Sequence, residues 1–249
     1  MKNLFSLLLS LLFISGSISA QDAKEIIRKA DEKAHGTTSS YTEIKMAIIR
    51  PTWKREMTMK TWSKGDDYSL ILITGPARDK GIAYLKRKNE MWNWQPTIDR
   101  VVKMPPSMMT QSWMGSDFTN DDLVRQSSMV NDYTHKLLGS ETIEGRDCYK
   151  IELTPKDNTA VVWGKLIMWV DKAEYINLKV EYYDEDGYLV NTMLGKNLKT
   201  IGGRFLATVT EIIPADEPGH KTRVEQIHME FDKAISDDLF SIQNMKRAR

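Results

Sequence analysis

The feature that most constrains this chain is its alternation of apolar and polar residues. In Tyr41–Arg50, Ile44, Met46 and Ile48 share one parity, and Glu43 and Lys45 the other. In Trp53–Trp62, Met57 and Met59 stand against Glu56, Thr58 and Lys60. A period of two is the mark of a strand with one buried face. Tyr68–Thr74 is nearly all apolar, as in a strand covered on both faces. Ile82–Lys86, Glu90–Gln95 and Ile98–Met104 read as three shorter strands. Pro51-Thr52, Lys64-Gly65-Asp66, Gly75-Pro76, Asn89-Glu90 and Pro96-Thr97 supply the turns. These connections are too short for crossovers, so the neighbours are antiparallel.

After an interruption the pattern resumes. Tyr133–Glu141, Cys148–Thr154, Val162–Val170, Ile176–Tyr183, Leu189–Leu198, Arg204–Ile213 and Thr222–Phe231 read as strands. Glu144-Gly145 and Asp186-Gly187 are hairpin signals, because glycine takes the positive φ such turns need. Asp22–His35 reads as a helix, with Asp22 as N-cap, Ile26, Ile27, Ala30 and Ala34 as its apolar stripe, and Gly36 as its stop. Ile235–Phe240 reads as a terminal turn, and Lys246–Arg249 as a solvated basic tail. The expected fold is mainly β with an α lid. A single curved antiparallel sheet of roughly eleven to thirteen strands forms a half-open barrel over the N-terminal helix and a central helical insertion. A twisted sheet that long must curl, and its hollow is too large for its own side chains to fill.

The interruption, Met104–Leu123, is the candidate lid. Its first thirteen residues, Met104–Ser116, carry no charge and include Met104, Met108, Met109, Met114 and Trp113. Pro105-Pro106 ends the strand pattern. Ser107–Met114 is expected to form a short helix, and Thr119 with Asp122 a capping box that starts a second, running to about Met129. The lid as a whole spans about residues 105–131. Methionine fills irregular gaps and suits surfaces that accept varied apolar partners. A Met and Trp cluster is also what ordinary core looks like.

The ends set the compartment. Lys2, an apolar stretch over Leu4–Ile14 and a small-residue stretch over Gly16–Ala20 make a secretory signal peptide, residues 1–20, cut between Ala20 and Gln21. Residues 21–249 then form one domain. There is one cysteine, Cys148, so neither an intrachain disulfide nor an acylated cysteine at the cleavage site is available. Cys148 sits in an apolar strand and reads as a small buried residue. The expectation is a periplasmic protein without lipidation. Lys2 is the single charged residue of the signal, so 35 basic residues become 34, against 34 acidic ones. That balance argues against nucleic acid as a partner.

No catalytic constellation stands out. There is no G-x-S-x-G, no H-E-x-x-H and no phosphate-cradling loop. His35, His135, His220 and His228 are scattered, and Asp184-Glu-Asp-Gly187 reads as a hairpin turn. Asp117, Asp121 and Asp122 read as helix-capping acids or as a polar rim that meets a partner. Neither enzyme activity, nor a metal, nor a cofactor is expected.

Trp113-Met-Gly-Ser-Asp-Phe-Thr-Asn-Asp-Asp-Leu123 resembles the middle of the LolA-like outer-membrane lipoprotein-sorting proteins, the LolA/LolB-like half-barrel superfamily. Gly139–Gly145, Trp169–Asp171 and Tyr182–Gly187 share the resemblance, which covers essentially the whole mature chain. It implies a half-barrel closed by a helical lid over an apolar cavity, with an arginine locking the lid. Arg50, Arg55, Arg78 and Arg100 are all candidates for that arginine. It also implies an inner-membrane exporter and an outer-membrane acceptor as partners.

The reading that follows is a monomeric periplasmic carrier. It shelters the acyl chains of a lipid or lipoprotein on the way to the outer membrane. The expected lining is Met57, Met59, Trp92, Trp94, Met108, Met109, Trp113, Met114 and Phe118. Trp92 and Trp94 share a strand face, which either lines the cavity or packs under the first helix. The alternative function is a sensor of lipid or stray lipoprotein that regulates an envelope-stress or export partner.

Overall fold

The computed structural model describes residues 20–88, 90–124, 128–157, 159 and 161–247. The signal-peptide expectation falls almost wholly outside them. A helix, α1 (Ala20–His35), leads into thirteen strands. The first six are β1 (Ser39–Ile49), β2 (Lys54–Lys64), β3 (Tyr68–Gly75), β4 (Ala83–Arg87), β5 (Glu90–Gln95) and β6 (Arg100–Lys103). The lid follows, carrying a short helix, α2 (Asn120–Val124). Then come β7 (Tyr133–Ile143), β8 (Arg146–Pro155), β9 (Lys165–Asp171), β10 (Asn177–Tyr183), β11 (Leu189–Ile201), β12 (Arg204–Pro214) and β13 (Lys221–Phe231). A last helix, α3 (Ile242–Arg247), ends the described chain.

All thirteen strands form one sheet in the order β6-β5-β4-β3-β2-β1-β13-β12-β11-β10-β9-β8-β7. Every pairing is antiparallel. Each strand therefore lies beside its neighbour in sequence, except at one seam, where β1 and β13 pair over ten positions from Ser40↔Phe231 to Ile49↔Lys221. That seam puts β6 and β7 at the two edges. The insertion between them must therefore travel from one edge of the sheet to the other. The curl of the sheet makes the concave face the short way across.

The turns follow local chemistry. Glu144 and Gly145 both take positive φ, 48° and 79°, the conformation of a two-residue hairpin turn that matches strand twist. The lid reverses at Met114 and Gly115, where φ is 52° and 79°. Two backbone bonds close this reversal, Trp113 N to Phe118 O at 2.8 Å and Asn120 N to Gln111 O at 2.9 Å.

Each face of the sheet carries its own core. On the concave face of β1–β3, Met46, Ile48, Met57, Met59, Ile71 and Ile73 meet the lid. On the same face of β8–β10, Ile151, Leu153, Met168, Val170 and Val180 pack with Ala23, Ile26, Ile27 and Ala30 of α1. The stripe of α1 is thus the one its spacing predicts, apart from half-buried Ala34. On the convex face, Leu70, Leu72, Ala83, Leu85 and Trp94 are covered by Phe240 and by Met245 of α3. A second convex cluster joins Cys148, Ile167, Trp169, Ile176 and Leu178. Cys148 is fully buried there, and burial pushes its thiol up, as a packing role requires.

Four expectations are corrected. Ser107–Met114 is not a helix. A single 3-10 turn, Pro106–Met108, gives way to reversing backbone, because the left-handed pair at Met114-Gly115 folds the segment back on itself. The second helix spans Asn120–Val124 and is over before Met129, which lies in a turn; residues 125–127 lie outside the described ones. Asp22 is in the first turn of α1 rather than at its N-cap, because the helix already includes Ala20. Lys246 and Arg247 are solvent-exposed, as expected, but helical rather than a tail. They end α3, whose Met245 is fully buried and whose Lys246 Nζ lies 4.7 Å above the Trp94 ring; Ala248 and Arg249 lie outside the described residues.

Candidate functional site: the lid on the concave face

The lid meets the sheet with its apolar side chains. Met104, Met109, Trp113 and Phe118 share one buried cluster with Met46, Ile48, Met57, Met59, Ile71, Ile73, Tyr84, Met91, Ile212 and Val224. Trp113 has no exposed surface, and its ring centroid lies 5.4 Å from that of Tyr84. Met108, Met114 and Leu123 are half-buried against the same cluster. The open apolar hollow expected between sheet and lid is thus corrected: in this structure the lid's own side chains occupy that space. Two open cavities, of about 310 and 280 Å³, lie elsewhere: one at the end of α1 by Lys33 and Tyr175, the other beside Tyr41 and Trp62.

Polar groups pin the lid at its tip. Arg50 Nη2 donates to Asp117 Oδ1 at 2.9 Å and Arg50 Nη1 to Asp117 Oδ2 at 3.0 Å. Arg50 Nη2 also donates to Gly115 O at 3.1 Å. Asp117 Oδ2 accepts from the Thr222 hydroxyl at 2.7 Å, and Asp117 N donates back to it at 3.0 Å. Beside this pair, Arg55 Nη1 donates to Met114 O at 3.1 Å while its Nη2 reaches Asp79 Oδ2 at 2.8 Å. Burial works to raise the Asp79 carboxyl, but hydrogen bonds and charge from Arg55, then Arg78, outweigh it and hold it below the ordinary range. Among the four arginines named from the sequence, Arg50 and Arg55 hold the lid. Arg78 is largely exposed and pairs with Asp79, and Arg100 is exposed on β6.

A second anchor lies past the tip. Thr119 and Asp122 form the capping box their spacing predicts: Thr119 N donates to Asp122 Oδ2 at 2.8 Å, and Asp122 N to Thr119 Oγ1 at 3.1 Å. Asp122 Oδ1 also accepts from the Trp163 indole at 2.9 Å, which ties α2 to the connection between β8 and β9. Burial pushes the Asp122 carboxyl up, against the lowering effect of those hydrogen bonds. His135 Nε2 lies 2.8 Å from Met129 O, where the insertion joins β7.

The sequence-derived lining is partly brought together. Met57, Met59, Met109, Trp113 and Phe118 meet in one buried cluster, with Met108 and Met114 at its margin. Trp92 and Trp94 do not join it. Their register partners are Leu85 and Ala83, which pair in turn with Leu70 and Leu72, and all of these side chains belong to the convex face. Trp92 and Trp94 pack under the C-terminal segment, neither in the lid cluster nor under α1. The residue of β5 that faces the lid is Met91. Met46, Ile48, Ile71, Ile73, Tyr84, Met91, Met104, Ile212 and Val224 are the buried contributors missed as lining. Parity counted from Met57 and Met59 through the sheet register reaches most of them.

Residues 65–247 match the model of a family described as "Uncharacterized protein". No curated protein matches the chain. Three solved structures are similar over nearly their whole length. A DUF1329 family protein from Desulfovibrio piger superposes with a TM-score of 0.81 at 28% identity, covering 91% of this chain and 98% of the other. A putative outer membrane lipoprotein-sorting protein domain from Vibrio parahaemolyticus gives 0.81 at 24% identity, covering 92% and 100%. A LolA superfamily protein from Nitrosomonas europaea gives 0.77 at 25% identity, covering 89% and 98%.

Proposed function

The chain belongs to the LolA-like outer-membrane lipoprotein-sorting family and to the family whose model covers residues 65–247, and from that premise we propose that it is a periplasmic carrier of acyl chains. The lid loosens, the chain of a lipid or lipoprotein enters between the lid and the sheet, and the protein delivers it toward the outer membrane. The signal peptide read from residues 1–20 supports export, and no described helix is long and apolar enough to cross a membrane. An inner-membrane exporter as donor and an outer-membrane acceptor complete the path.

One observation carries this reading: an apolar lid that spans the sheet edge to edge is pinned at its tip by polar contacts that can be broken. The energetics suit exchange. Burying a Met, Trp or Phe side chain is worth roughly 1.5–3 kcal/mol, so Met104, Met109, Trp113 and Phe118 together contribute about 6–12 kcal/mol gross. A sixteen-carbon chain at about 0.8 kcal/mol per methylene offers roughly 12 kcal/mol gross. A cargo chain between lid and sheet can therefore exchange for the contacts those side chains make with the sheet, with a small net change. Methionines at Met46, Met57, Met59, Met91 and Met109 let the surface adapt to chains of differing length and kink. The work is binding and release, with no bond made or broken.

The test is chemical. Organic extracts of the protein purified from its native periplasm should contain phospholipid or acylated protein, by mass spectrometry. Trp113→Asp should cut the yield several-fold. Clean extracts from correctly folded wild-type protein would remove the basis of the proposal.

A further inference from the structure

Two N–H donors beneath the lid have no acceptor. One is the indole Nε1 of Trp113, a residue with no exposed surface. The other is Arg55 Nε, buried on a guanidinium whose two terminal nitrogens are both engaged, with Met114 O and Asp79 Oδ2. The two are brought near each other by one contact, Arg55 Nη1 to the carbonyl of Met114. Met114 follows Trp113 in the chain, and Tyr84 lies against the Trp113 ring. Burial pushes the Tyr84 phenol up to about 12, and the charges that act on it are those of Arg55 and Asp79.

Buried side-chain donors almost always find partners, and exceptions call for an explanation. Among the described residues five buried side-chain atoms lack a hydrogen-bond partner, of which His220 Nδ1 still faces Glu217 as an ion pair, and the lid interface holds two of them. Both are donors, so the group they suit is an acceptor oxygen, and an ammonium is excluded. Asp79, 2.8 Å away, balances the Arg55 charge, while Arg78, which also reaches Asp79 at 3.2 Å, is largely exposed and keeps its charge in solvent. A neutral oxygen therefore fits better than a phosphate or carboxylate, whose own charge would have to be buried. Met57, Met59 and Met109 lie in the same cluster and supply the apolar floor for whatever carries that oxygen.

Resting on the carrier reading, we propose that Trp113 Nε1 and Arg55 Nε bind the carbonyl oxygen of an acyl ester or amide at the polar end of the cargo chain. The site sorts cargo by its acyl linkage as well as by its greasiness. Glycerolipid esters and the ester and amide linkages of acylated proteins share this carbonyl.

The experiment uses the full mature chain, stripped of lipid, and four sixteen-carbon probes: an alkane, a methyl ester, a primary amide and a carboxylate. The ester and the amide should each bind about tenfold tighter than the alkane, the value of one or two buried hydrogen bonds, and the carboxylate should gain less. Trp113→Phe, which keeps an aromatic ring and deletes the donor, should lower the ester-to-alkane ratio several-fold. Arg55→Lys, which removes Nε, should do the same and covers the case in which Trp113→Phe fails to fold. Equal binding of ester and alkane by wild type, or a ratio that neither variant moves, overturns the proposal while leaving the carrier reading intact. Failure of every probe to bind defeats both.

Discussion

Arg50, just past the end of β1, and Asp117, in the tip of the lid, form a two-pronged ion pair nearly closed to solvent, with side-chain exposures of 11% and 5%. The pair sits at the seam where the first and last strands meet, since Thr222, the hydroxyl partner of Asp117, is the register partner of Ile48. The lid is thus clamped at the point of the sheet most distant along the strand order from the edges where it is tethered.

Truncating one partner leaves the other buried and uncompensated. Arg50→Ala should cost about 3 kcal/mol, the low end for a broken buried pair, because Asp117 keeps its bond to Thr222. The loss should be local. Amides of residues 113–118 should exchange with deuterium faster, while those of β1 and β13 should keep their protection. A cost below about 1 kcal/mol with unchanged exchange at the tip would show that the clamp does not hold the lid.

The sheet was readable because its signal is local. Alternation over five or more residues names a strand, and a two-residue turn names its neighbour. Thirteen strands are where the pattern places them, to within about three residues at their ends. The lid was harder to read. Its position follows from composition, but its backbone turns on the left-handed Met114-Gly115 pair, which no periodicity announces. The arginine that reaches it depends on which hairpin turns share an end of the sheet with the lid tip, a property of register across the whole sheet. Trp92 and Trp94 pair with Leu85 and Ala83 on the convex face, and the opposite parity, at Met91, meets the lid, so side-chain bulk alone does not assign a face.

Trp94 offers a direct check of that assignment. It is buried under α3 on the convex face, with Lys246 above its ring. Trp94→Ala should destabilise the fold by about 3–5 kcal/mol, as removal of a buried aromatic does. Acyl-chain binding per folded molecule should stay at the wild-type level. Met59→Ala, inside the lid cluster, should cost about 2–5 kcal/mol and should change chain affinity. Denaturant midpoints and probe titrations of the two variants separate the faces. Loss of chain binding in folded Trp94→Ala would return the tryptophan to the site.

Asp232 makes the acid limb of stability predictable. Its carboxylate accepts from Thr38 N and Thr37 N, each at 2.8 Å, and from both threonine hydroxyls, and it pairs with Arg204 at 2.6 Å. The backbone bond from Thr38 leads the effects that hold its carboxyl down at about 2. A depressed folded value means stability that is fully present above the ordinary aspartate range and is lost as pH falls from about 4 toward 2. Asp232→Asn should flatten the stability curve across that window. An unchanged slope in urea unfolding at pH 4, 3 and 2.5 would refute the assignment.

Asp122 should act in the opposite sense. Its carboxyl is pushed up by burial, so in the folded protein it holds its proton above the pH at which the unfolded chain has released its own. In that interval the native state binds more protons than the unfolded one, and stability must fall as pH rises from the ordinary aspartate value, about 3.9, through the raised folded value. Above it the folded protein carries the full cost of a charge held between Trp163 and Thr119. Because Asp122 caps α2, the weakening is felt at the lid: residues 119–124 should exchange faster at neutral pH than just below the folded value, after correction for intrinsic rates. Asp122→Asn cannot ionise, so it should abolish this dependence, at the expense of one of the two hydrogen bonds the carboxylate accepts. Lid exchange that speeds up on acidification instead, in wild type but not in Asp122→Asn, would reverse the sign and show that the hydrogen bonds outweigh burial at this carboxyl.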